Sequence, residues 1–471
     1  MAEDLATLFT MLHQSADPKV AAAIEELVGD PVERRLNRIN VLDFARINGL
    51  DETKSIGGFL HATRLRLFDM SWNVLCPGCG GVLAAGATLK TVDRDEYNCS
   101  LCSAGYEPTL DEMVEVSFTV SPRVRMIAAH DPDRLPFAEY FRQIFWASGI
   151  DIPEQFEHLL DEMTLERLEL PAKERAIVSL NLEPQFLIVF DPVTHATQFL
   201  EVTGDPTRER QAVNVVLDEM LKQNDTITVR PGPLRLKIEN RTDRRTLPGV
   251  WIANDALHNL LGQRKRFLTA KRLLSHQTFR ELYRTGMLGI DQRLKITSMT
   301  FMFTDLKGST QLYDRVGDLA AFELVLAHFR VLEQIVAAHA GAVVKTIGDA
   351  VMATFSTPRD AISAALDIRE AMRRFNAEHG GTEDELLLKI GLHEGSCLAV
   401  TLNDRQDYFG QTVNVAARVH ALVDSQEIIA THSVVEDSRA RRVLDERKIE
   451  PIRREHQLRG LKDKTSLYVL P

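Results

Sequence analysis

The chain has 471 residues, 44% of them apolar and 26% charged, a composition typical of folded globular proteins and too apolar for a disordered chain. Its length exceeds what one hydrophobic core organises, so we expect several domains. The 56 Lys and Arg against 67 Asp and Glu give a net charge of −11, which disfavours nucleic-acid binding, because that affinity comes from neutralising phosphates.

No membrane-spanning segment is predicted. The sequence contains no run of about 18 uninterrupted apolar residues. Its first residues, Met1-Ala-Glu-Asp-Leu, are acidic where a signal peptide needs basic residues. We therefore expect a cytoplasmic protein without a membrane partner.

The first 110 residues are predicted to form a helical, winged-helix-like module (1–75) followed by a zinc ribbon (76–110). The last two predicted helices resemble a helix-turn-helix, which raises the question of DNA binding. Residues 1–110 carry 10 basic against 15 acidic side chains, however, and a segment with net negative charge repels the phosphates of DNA. The predicted elements are helices at 20–28, 34–48 and 59–67, the last preceded by an Asp51 cap, and a strand at 71–75.

Four of the five cysteines follow the pattern C-x2-C-x19-C-x2-C. Each C-x2-C turn presents two thiolates to one ion, and two such turns complete the tetrahedral set that structural zinc prefers. Two disulfides are the alternative, which a cytoplasmic location disfavours. A closed four-sulfur site has no open coordination position, so we predict one structural Zn²⁺ rather than a catalytic one. The ligands are Cys76, Cys79, Cys99 and Cys102.

Residues 111–252 are predicted to be a β-rich regulatory domain, sandwich-like or barrel-like, because short alternating or apolar runs are separated by turn residues. Residues 253–296 are predicted to be a helical linker. Within it, 263–284 carries seven basic residues and one acid. This charge indicates either a solvated helix face or a transmitter helix that joins a sensor to an effector.

From residue 297 onward, strands and helices alternate in the order β-α-β-β-α-β, which predicts a ferredoxin-like domain over 297–471. In that plan the first two strands are parallel, so the turn after the second strand lies at the end of the first. Asp305 ends the first strand and Asp349 occupies this turn. Two converging carboxylates repel each other unless they bind cations, so the pair predicts a site for two divalent ions, as used for displacement at phosphorus.

Four separated motifs in this region, taken in order, closely resemble the class III nucleotide cyclases, and the resemblance covers 297–471. It implies a homodimer with active sites at the interface, where one protomer supplies the metal aspartates and the other contacts base, ribose and transition state. The motifs are Phe303-Thr-Asp305-Leu-Lys-Gly-Ser-Thr310, Lys345-Thr-Ile-Gly-Asp349-Ala-Val-Met352, Gly391-Leu-His393-Glu-Gly395 and Asp407-Tyr-Phe-Gly410-Gln-Thr-Val-Asn414-Val-Ala-Ala-Arg418.

By this resemblance, Asp305 and Asp349 hold two Mg²⁺ or Mn²⁺ ions per active site, assisted by the backbone carbonyl of Leu306. Lys345 and Asp407 occupy the positions that read the purine. An ammonium donates to adenine N1 and a carboxylate accepts from the N6 amine, whereas guanine would leave buried groups unpaired. The pair therefore favours ATP over GTP.

The resemblance also assigns the remaining contacts. Asn414 orients the ribose, and Arg418, four residues further along one helix and so on the same face, stabilises charge on the phosphorus. Arg459 fills the position of a basic residue that grips the triphosphate, with Lys462 and Lys464 nearby. His393 is expected to be structural.

The sequence thus predicts an α+β multidomain adenylate cyclase that makes 3′,5′-cyclic AMP and pyrophosphate from ATP. Its N-terminal 290 residues resemble, through less specific motifs, a regulatory region found ahead of some bacterial cyclase domains, and we expect an unknown small molecule or protein to act there. The alternatives are a catalytically inactive nucleotide-binding module and a guanylate cyclase. A zinc-ribbon transcription factor is disfavoured by the acidic N-terminal charge.

Overall fold

The computed structural model describes residues 2–93, 95–218, 225–283, 288–289, 292–307, 314, 316–378, 386–402, 405–422, 427–458 and 464–471. The chain forms two compact units. The N-terminal unit comprises Met1–Ala87, Thr91–Pro108 and Met113–Leu268, and the C-terminal unit comprises Thr88–Lys90, Thr109–Glu112 and Thr269–Pro471. Within the described ranges, no helix combines the length and apolar character that crossing a bilayer requires.

Four helices open the N-terminal unit, and polar caps set where three of them begin. The predicted helix at 34–48 begins only at Val41, because the Asn40 side chain accepts hydrogen bonds from the N–H groups of Leu42 and Asp43. The helix predicted at 59–67 begins earlier, directly after the Asp51 cap. The helices are α1 (Ala2–Ser15), α2 (Pro18–Gly29), α3 (Val41–Ile47) and α4 (Glu52–Arg64).

A three-stranded antiparallel sheet follows these helices. Its central strand β1 (Phe68–Leu75) pairs with β2 (Val82–Gly86) on one side and β5 (Val114–Val120) on the other. The short hairpin of β3 (Tyr97–Cys99) and β4 (Ala104–Tyr106) lies between them in sequence. Because β1 and β5 pair along their length, the predicted boundaries at 75/76 and 110/111 do not separate compact units.

The predicted β-rich region is present as two sheets with strand orders β10-β12-β7 and β11-β9-β8-β13-β6. Apolar side chains from both sheets share one buried cluster, including Val213 of β10 and Leu200 of β9, as in a sandwich. The elements are α5 (Phe137–Tyr140), α6 (Phe156–Met163), β6 (Thr164–Arg167), β7 (Arg175–Leu182), β8 (Gln185–Phe190), β9 (Thr197–Val202), β10 (Gln211–Leu217), β11 (Ile227–Val229), β12 (Gly232–Asn240), β13 (Gly249–Ile252) and α7 (Asp255–Gly262).

The linker is not the continuous basic helix that its charge pattern suggested. After α7, which belongs to the N-terminal unit, the C-terminal unit begins with α8 (Ala270–Leu274) and α9 (Gln277–Leu282). The Thr269 side chain caps α8 by accepting from the Arg272 N–H, and His276 is extended (φ −102°, ψ 123°), which separates α8 from α9. The charge pattern alone could not show these interruptions.

The remaining elements are several helices and the strands of one mixed sheet, which is ordered β15-β16-β14-β17-β19-β21-β20, with β18 paired to β17. They are β14 (Leu294–Lys307), α10 (Asp318–Ala338), β15 (Gly341–Ile347), β16 (Ala350–Phe355), α11 (Pro358–Glu378), β17 (Leu387–Leu402), β18 (Arg405–Phe409), α12 (Gln411–Ala421), β19 (Ile428–Thr431), α13 (His432–Val435), α14 (Ser438–Glu446), β20 (Ile452–His456) and β21 (Thr465–Leu470).

The succession β14-α10-β15-β16-α11-β17 confirms the predicted ferredoxin-like plan. Since β16 is antiparallel to both β14 and β15, the strands β14 and β15 run in the same direction. The two strands predicted at 386–394 and 397–402 are one continuous strand, β17. The helix predicted at 308–316 falls almost entirely outside the described residues.

Candidate active site

Asp305 and Asp349 lie at the same end of the neighbouring strands β14 and β16 in the C-terminal sheet. β14 and β16 pair as far as Thr304 and Val351, so Asp305 lies one residue beyond this pair and Asp349 two residues before Val351. Asp349 lies in the turn between β15 and β16, where Gly348 adopts φ +64°, a conformation that glycine permits without a Cβ clash.

The carboxylate oxygens at this end of the strands are suited to bind divalent cations. The Asp349 Oδ2 atom is buried and receives no hydrogen bond from any described residue. The Asp305 side chain is partly exposed, and the one basic group that approaches it among the described residues is the His420 Nε2, 3.6 Å from its Oδ2. Carboxylate oxygens that lack donors are what Mg²⁺ and Mn²⁺ bind. Leu306, whose backbone carbonyl was predicted to assist, is buried on the same strand.

His420 is a residue that the sequence analysis did not select. It lies on α12, which packs across β14 and β17. A Cβ at Gly391 would come within 2.5 Å of the His420 backbone nitrogen, so glycine is needed for this close approach of helix and strand. The Gly391 motif is therefore explained by helix packing that brings His420 to Asp305.

Lys345 and Asp407 meet although they are 62 residues apart. The Lys345 Nζ lies 2.5 Å from the Asp407 Oδ2, while the Asp407 Oδ1 accepts the Tyr408 N–H at 2.8 Å. The Lys345 side chain is 42% exposed and that of Asp407 11%, so the ammonium is open to a ligand and the carboxylate is held in place. The structure brings together the two residues predicted to read the purine.

Asn414 and Arg418 lie on α12, as predicted. Asn414 is exposed and Arg418 half-buried. Within the described part of the chain, Arg418 forms no ion pair with Asp305 or Asp349, so this protomer does not join the guanidinium to its own aspartates.

His393 shares a 2.9 Å hydrogen bond between its Nδ1 and the Thr431 hydroxyl. Burial lowers the pKa of His393 to about 4, consistent with a structural role.

Two family models account for nearly the whole chain. Residues 2–281 match the family described as "Family of unknown function (DUF5939)", and residues 292–471 match "Adenylate and Guanylate cyclase catalytic domain". The chain belongs to the DUF5939 family and carries a class III cyclase catalytic domain. The resemblance of the four motifs is thereby confirmed.

Known relatives include both kinds of cyclase. The chain is 30% identical over 143 residues to putative adenylate cyclase 3 of Rhizobium meliloti, covering 30% of this chain and 23% of that protein. It is 26% identical over 160 residues to a receptor-type guanylate cyclase of Caenorhabditis elegans, covering 30% of this chain and 16% of that protein. The chain thus spans less than a quarter of either relative. These names leave the purine specificity of the cyclase domain open.

Among solved structures, the adenylyl cyclase CyaB from P. aeruginosa is similar to the cyclase domain. It is 19% identical, with a TM-score of 0.34, and the match covers 38% of this chain and 96% of that one.

Arg459 and Lys462 of the cyclase domain lie outside the described residues. Lys464, the remaining basic residue of that predicted group, is exposed.

Helix α9 makes further contacts, also not predicted from the sequence, next to the Lys345–Asp407 pair. The Arg280 Nη2 donates to the Gln406 carbonyl at 2.8 Å, and its guanidinium lies 5.9 Å from the centre of the Tyr408 ring. The Gln277 Oε1 accepts the Val343 N–H at 2.9 Å. Helix α9 therefore joins β15, which carries Lys345, to β18, which carries Asp407. In the sequence, Arg280 was one of seven basic residues without a distinguishing signal.

The four clustered cysteines of the N-terminal unit have the geometry of a metal site. Their sulfur atoms all lie within 4.8 Å of one another, with Cys76–Cys102 at 3.6 Å and Cys79–Cys99 at 3.7 Å. These separations exceed the disulfide bond length of about 2.0 Å, so the two-disulfide alternative is not what the structure shows. Zinc bonded tetrahedrally to sulfur at about 2.3 Å places sulfurs about 3.8 Å apart. The cluster therefore fits such an ion.

Proposed function

We propose that this chain is an adenylate cyclase that converts ATP into 3′,5′-cyclic AMP and pyrophosphate as a homodimer controlled by its N-terminal unit. The Lys345–Asp407 ion pair carries the proposal for adenine. N1 and the N6 amine are neighbours on one edge of adenine, so a closely spaced ammonium and carboxylate match them as donor and acceptor. Guanine would place its protonated N1 against the ammonium and its carbonyl against the carboxylate.

Asp305 and Asp349 would hold two Mg²⁺ or Mn²⁺ ions in this reaction. When bound, the ions supply Lewis acidity that lowers the pKa of the ribose 3′-hydroxyl and neutralises triphosphate charge. The carboxylates themselves would fix where the nucleotide's reacting end lies, near the C-terminal end of β14 and the turn between β15 and β16. The Asp349 oxygen that is buried and receives no hydrogen bond from the described residues supports this role, because desolvating a carboxylate without a partner is otherwise unfavourable.

Asn414 and Arg418 would act on the partner protomer's substrate. Asn414 orients the ribose, and Arg418 stabilises charge that develops on the α-phosphorus as the 3′-oxygen attacks and pyrophosphate leaves. The support is that α12 presents both side chains on one face, while Arg418 pairs with neither aspartate of its own protomer. A dimer with shared sites accounts for both observations.

The direct test is turnover by the purified full-length protein. With ATP and Mn²⁺ or Mg²⁺, we expect equal amounts of 3′,5′-cyclic AMP and pyrophosphate, separated and quantified by chromatography. Preferential formation of cyclic GMP would instead identify a guanylate cyclase. Silence with both nucleotides and both metals would identify a nucleotide-binding module without activity.

We expect Arg280→Ala to lower kcat/KM for ATP about tenfold and to narrow the preference for ATP over GTP, because Gln406 and Tyr408, which flank Asp407, lose their support. Steady-state kinetics with both nucleotides measure this. Arg280→Lys should restore part of the preference, and the exposed Arg373→Ala is the matched control. If the variant only melts earlier while the ATP-to-GTP ratio is unchanged, Arg280 has a purely structural role.

We expect Cys99→Ser to remove the zinc that we propose in the cysteine cluster. Metal content should fall from about one zinc per chain to near zero, and the melting midpoint should drop by at least about 5 °C, since binding energy of a structural zinc contributes to folding. Cys397→Ser is the matched control, because Cys397 is buried but lies outside the cluster. Equal zinc content and melting in both variants would rule out the site.

A further inference from the structure

The N-terminal unit contains a cavity of about 580 Å³, a volume within the range of small-molecule sites. It lies between α2, α3, the segment 142–154 and Lys265. One wall is apolar and includes Ile39, Phe44 and Trp146. The cavity shares no residue with the cysteine cluster, and nothing in the cyclase reaction uses it.

Most charges around the cavity are already paired. Arg34 forms an ion pair with Glu154, and Arg35 pairs with Asp30 at 2.9 Å. Lys265 pairs with Asp151 at 2.7 Å. These residues form the rim of the cavity, and because their charges are neutralised in ion pairs, they are not available to a charged ligand.

Arg38 and Arg142 are different. Among the described residues, the Arg38 guanidinium hydrogen-bonds the Ile144 carbonyl and no carboxylate. Burial lowers its pKa while the Glu115 carboxylate raises it, and that carboxylate also accepts hydrogen bonds from the side chains of Asn73 and Ser148. A guanidinium is not deprotonated inside proteins, so Arg38 remains a cation that can donate further hydrogen bonds.

Arg142 has a more distant carboxylate partner than the rim residues Arg35 and Lys265 do. Its Nη2 donates to the Pro153 carbonyl at 2.8 Å, but its Nε is buried without a hydrogen-bond partner in the described structure and lies 3.7 Å from the Glu139 carboxylate. The indole N–H of Trp146, whose side chain is 2% exposed, also lacks an acceptor there. Buried donors normally have partners, and these two unpartnered N–H groups belong to residues that line the cavity.

Arg38 is also held in position in advance. Its backbone adopts φ 43°, which is unfavourable for a residue with a Cβ, and its N–H donates to the Thr119 hydroxyl at 3.0 Å. Two nearly fixed guanidiniums suit a carboxylate or phosphate, which accept several hydrogen bonds at once. The apolar wall suits a hydrocarbon or aromatic body.

We propose that this cavity binds a small organic anion, with its carboxylate or phosphate on Arg38 and Arg142 and its apolar body against Phe44 and Trp146. This site would give the N-terminal unit a ligand of its own, independent of the nucleotide. The proposal does not depend on cyclase activity, because binding is measured on its own.

The test is calorimetric titration of the full-length protein with phenylacetate and with phenyl phosphate, which separate the two anion types, and with the neutral phenylacetamide. We expect at least one anion to bind and the amide not to bind at the same millimolar concentrations. Arg38→Gln should weaken the anion at least about tenfold, since a hydrogen bond to a charged group is lost. Arg35→Gln, which removes a paired rim charge, should leave binding unchanged.

A second variant guards against misfolding of Arg38→Gln. Arg38→Lys keeps the positive charge but loses the planar guanidinium, so it should bind the anion more tightly than Arg38→Gln does while melting close to the wild type. The proposal is overturned if neither anion binds, if the amide binds as tightly as the anions, or if Arg38→Gln and Arg35→Gln behave alike while both remain folded.

Discussion

Asp305→Asn is expected to abolish formation of cyclic nucleotide, with kcat reduced by at least about a thousandfold. The amide keeps the shape of the side chain but removes the negative charge at the edge of the sheet where cations would bind, and metal stabilisation of the transition state amounts to several kcal/mol. Product formation with ATP and Mn²⁺ measures the effect. Asp445→Asn, an exposed change on α14 of the same domain, should retain full activity.

Mixing two inactive variants sharpens this prediction. In a homodimer with shared sites, Asp305→Asn and Arg418→Ala remove different halves of each site, so a mixed dimer contains one site with both parts intact. If protomers exchange freely, half the dimers are mixed, and each retains one of its two sites. We therefore expect activity to return to about a quarter of the wild-type value. A mixture as inactive as its components would contradict the shared-site homodimer.

The second large effect concerns the choice of purine. Lys345→Glu combined with Asp407→Cys should reduce the ratio of kcat/KM for ATP to that for GTP at least about a hundredfold. The carboxylate can accept from guanine N1–H and the thiol can donate to its carbonyl, while adenine loses both complementary contacts. Competition between ATP and GTP in one reaction reports the ratio directly.

Arg442→Glu, an exposed charge reversal on α14, is the matched control for that exchange and should leave the ratio unchanged. The outcome also distinguishes purine reading from a structural role of the pair. If the double variant remains folded and turns over ATP and GTP in the wild-type ratio, Lys345 and Asp407 do not select the base. A loss of both activities with an unchanged ratio would likewise place the pair outside base recognition.

The sequence determined the type of domain and much of its local structure. The cysteine spacing indicated a metal cluster because each C-x2-C turn is a local structure, and the sulfurs do converge. The order of strands and helices predicted the ferredoxin-like plan, and with it the meeting of Asp305 and Asp349, because chain direction in such a unit follows from topology alone. The Asp51 cap was also visible, since capping depends on neighbouring residues.

Tertiary structure decided what depends on contacts between distant segments. The pairing of β1 with β5 joined segments that composition had divided, and the long-range approach of α12 to β14 brought His420 to Asp305. Arg280 acquired its place beside Asp407 only through packing of α9. The cavity around Arg38 arises in the same way, because the residues that line it come from segments about 100 residues apart in the sequence.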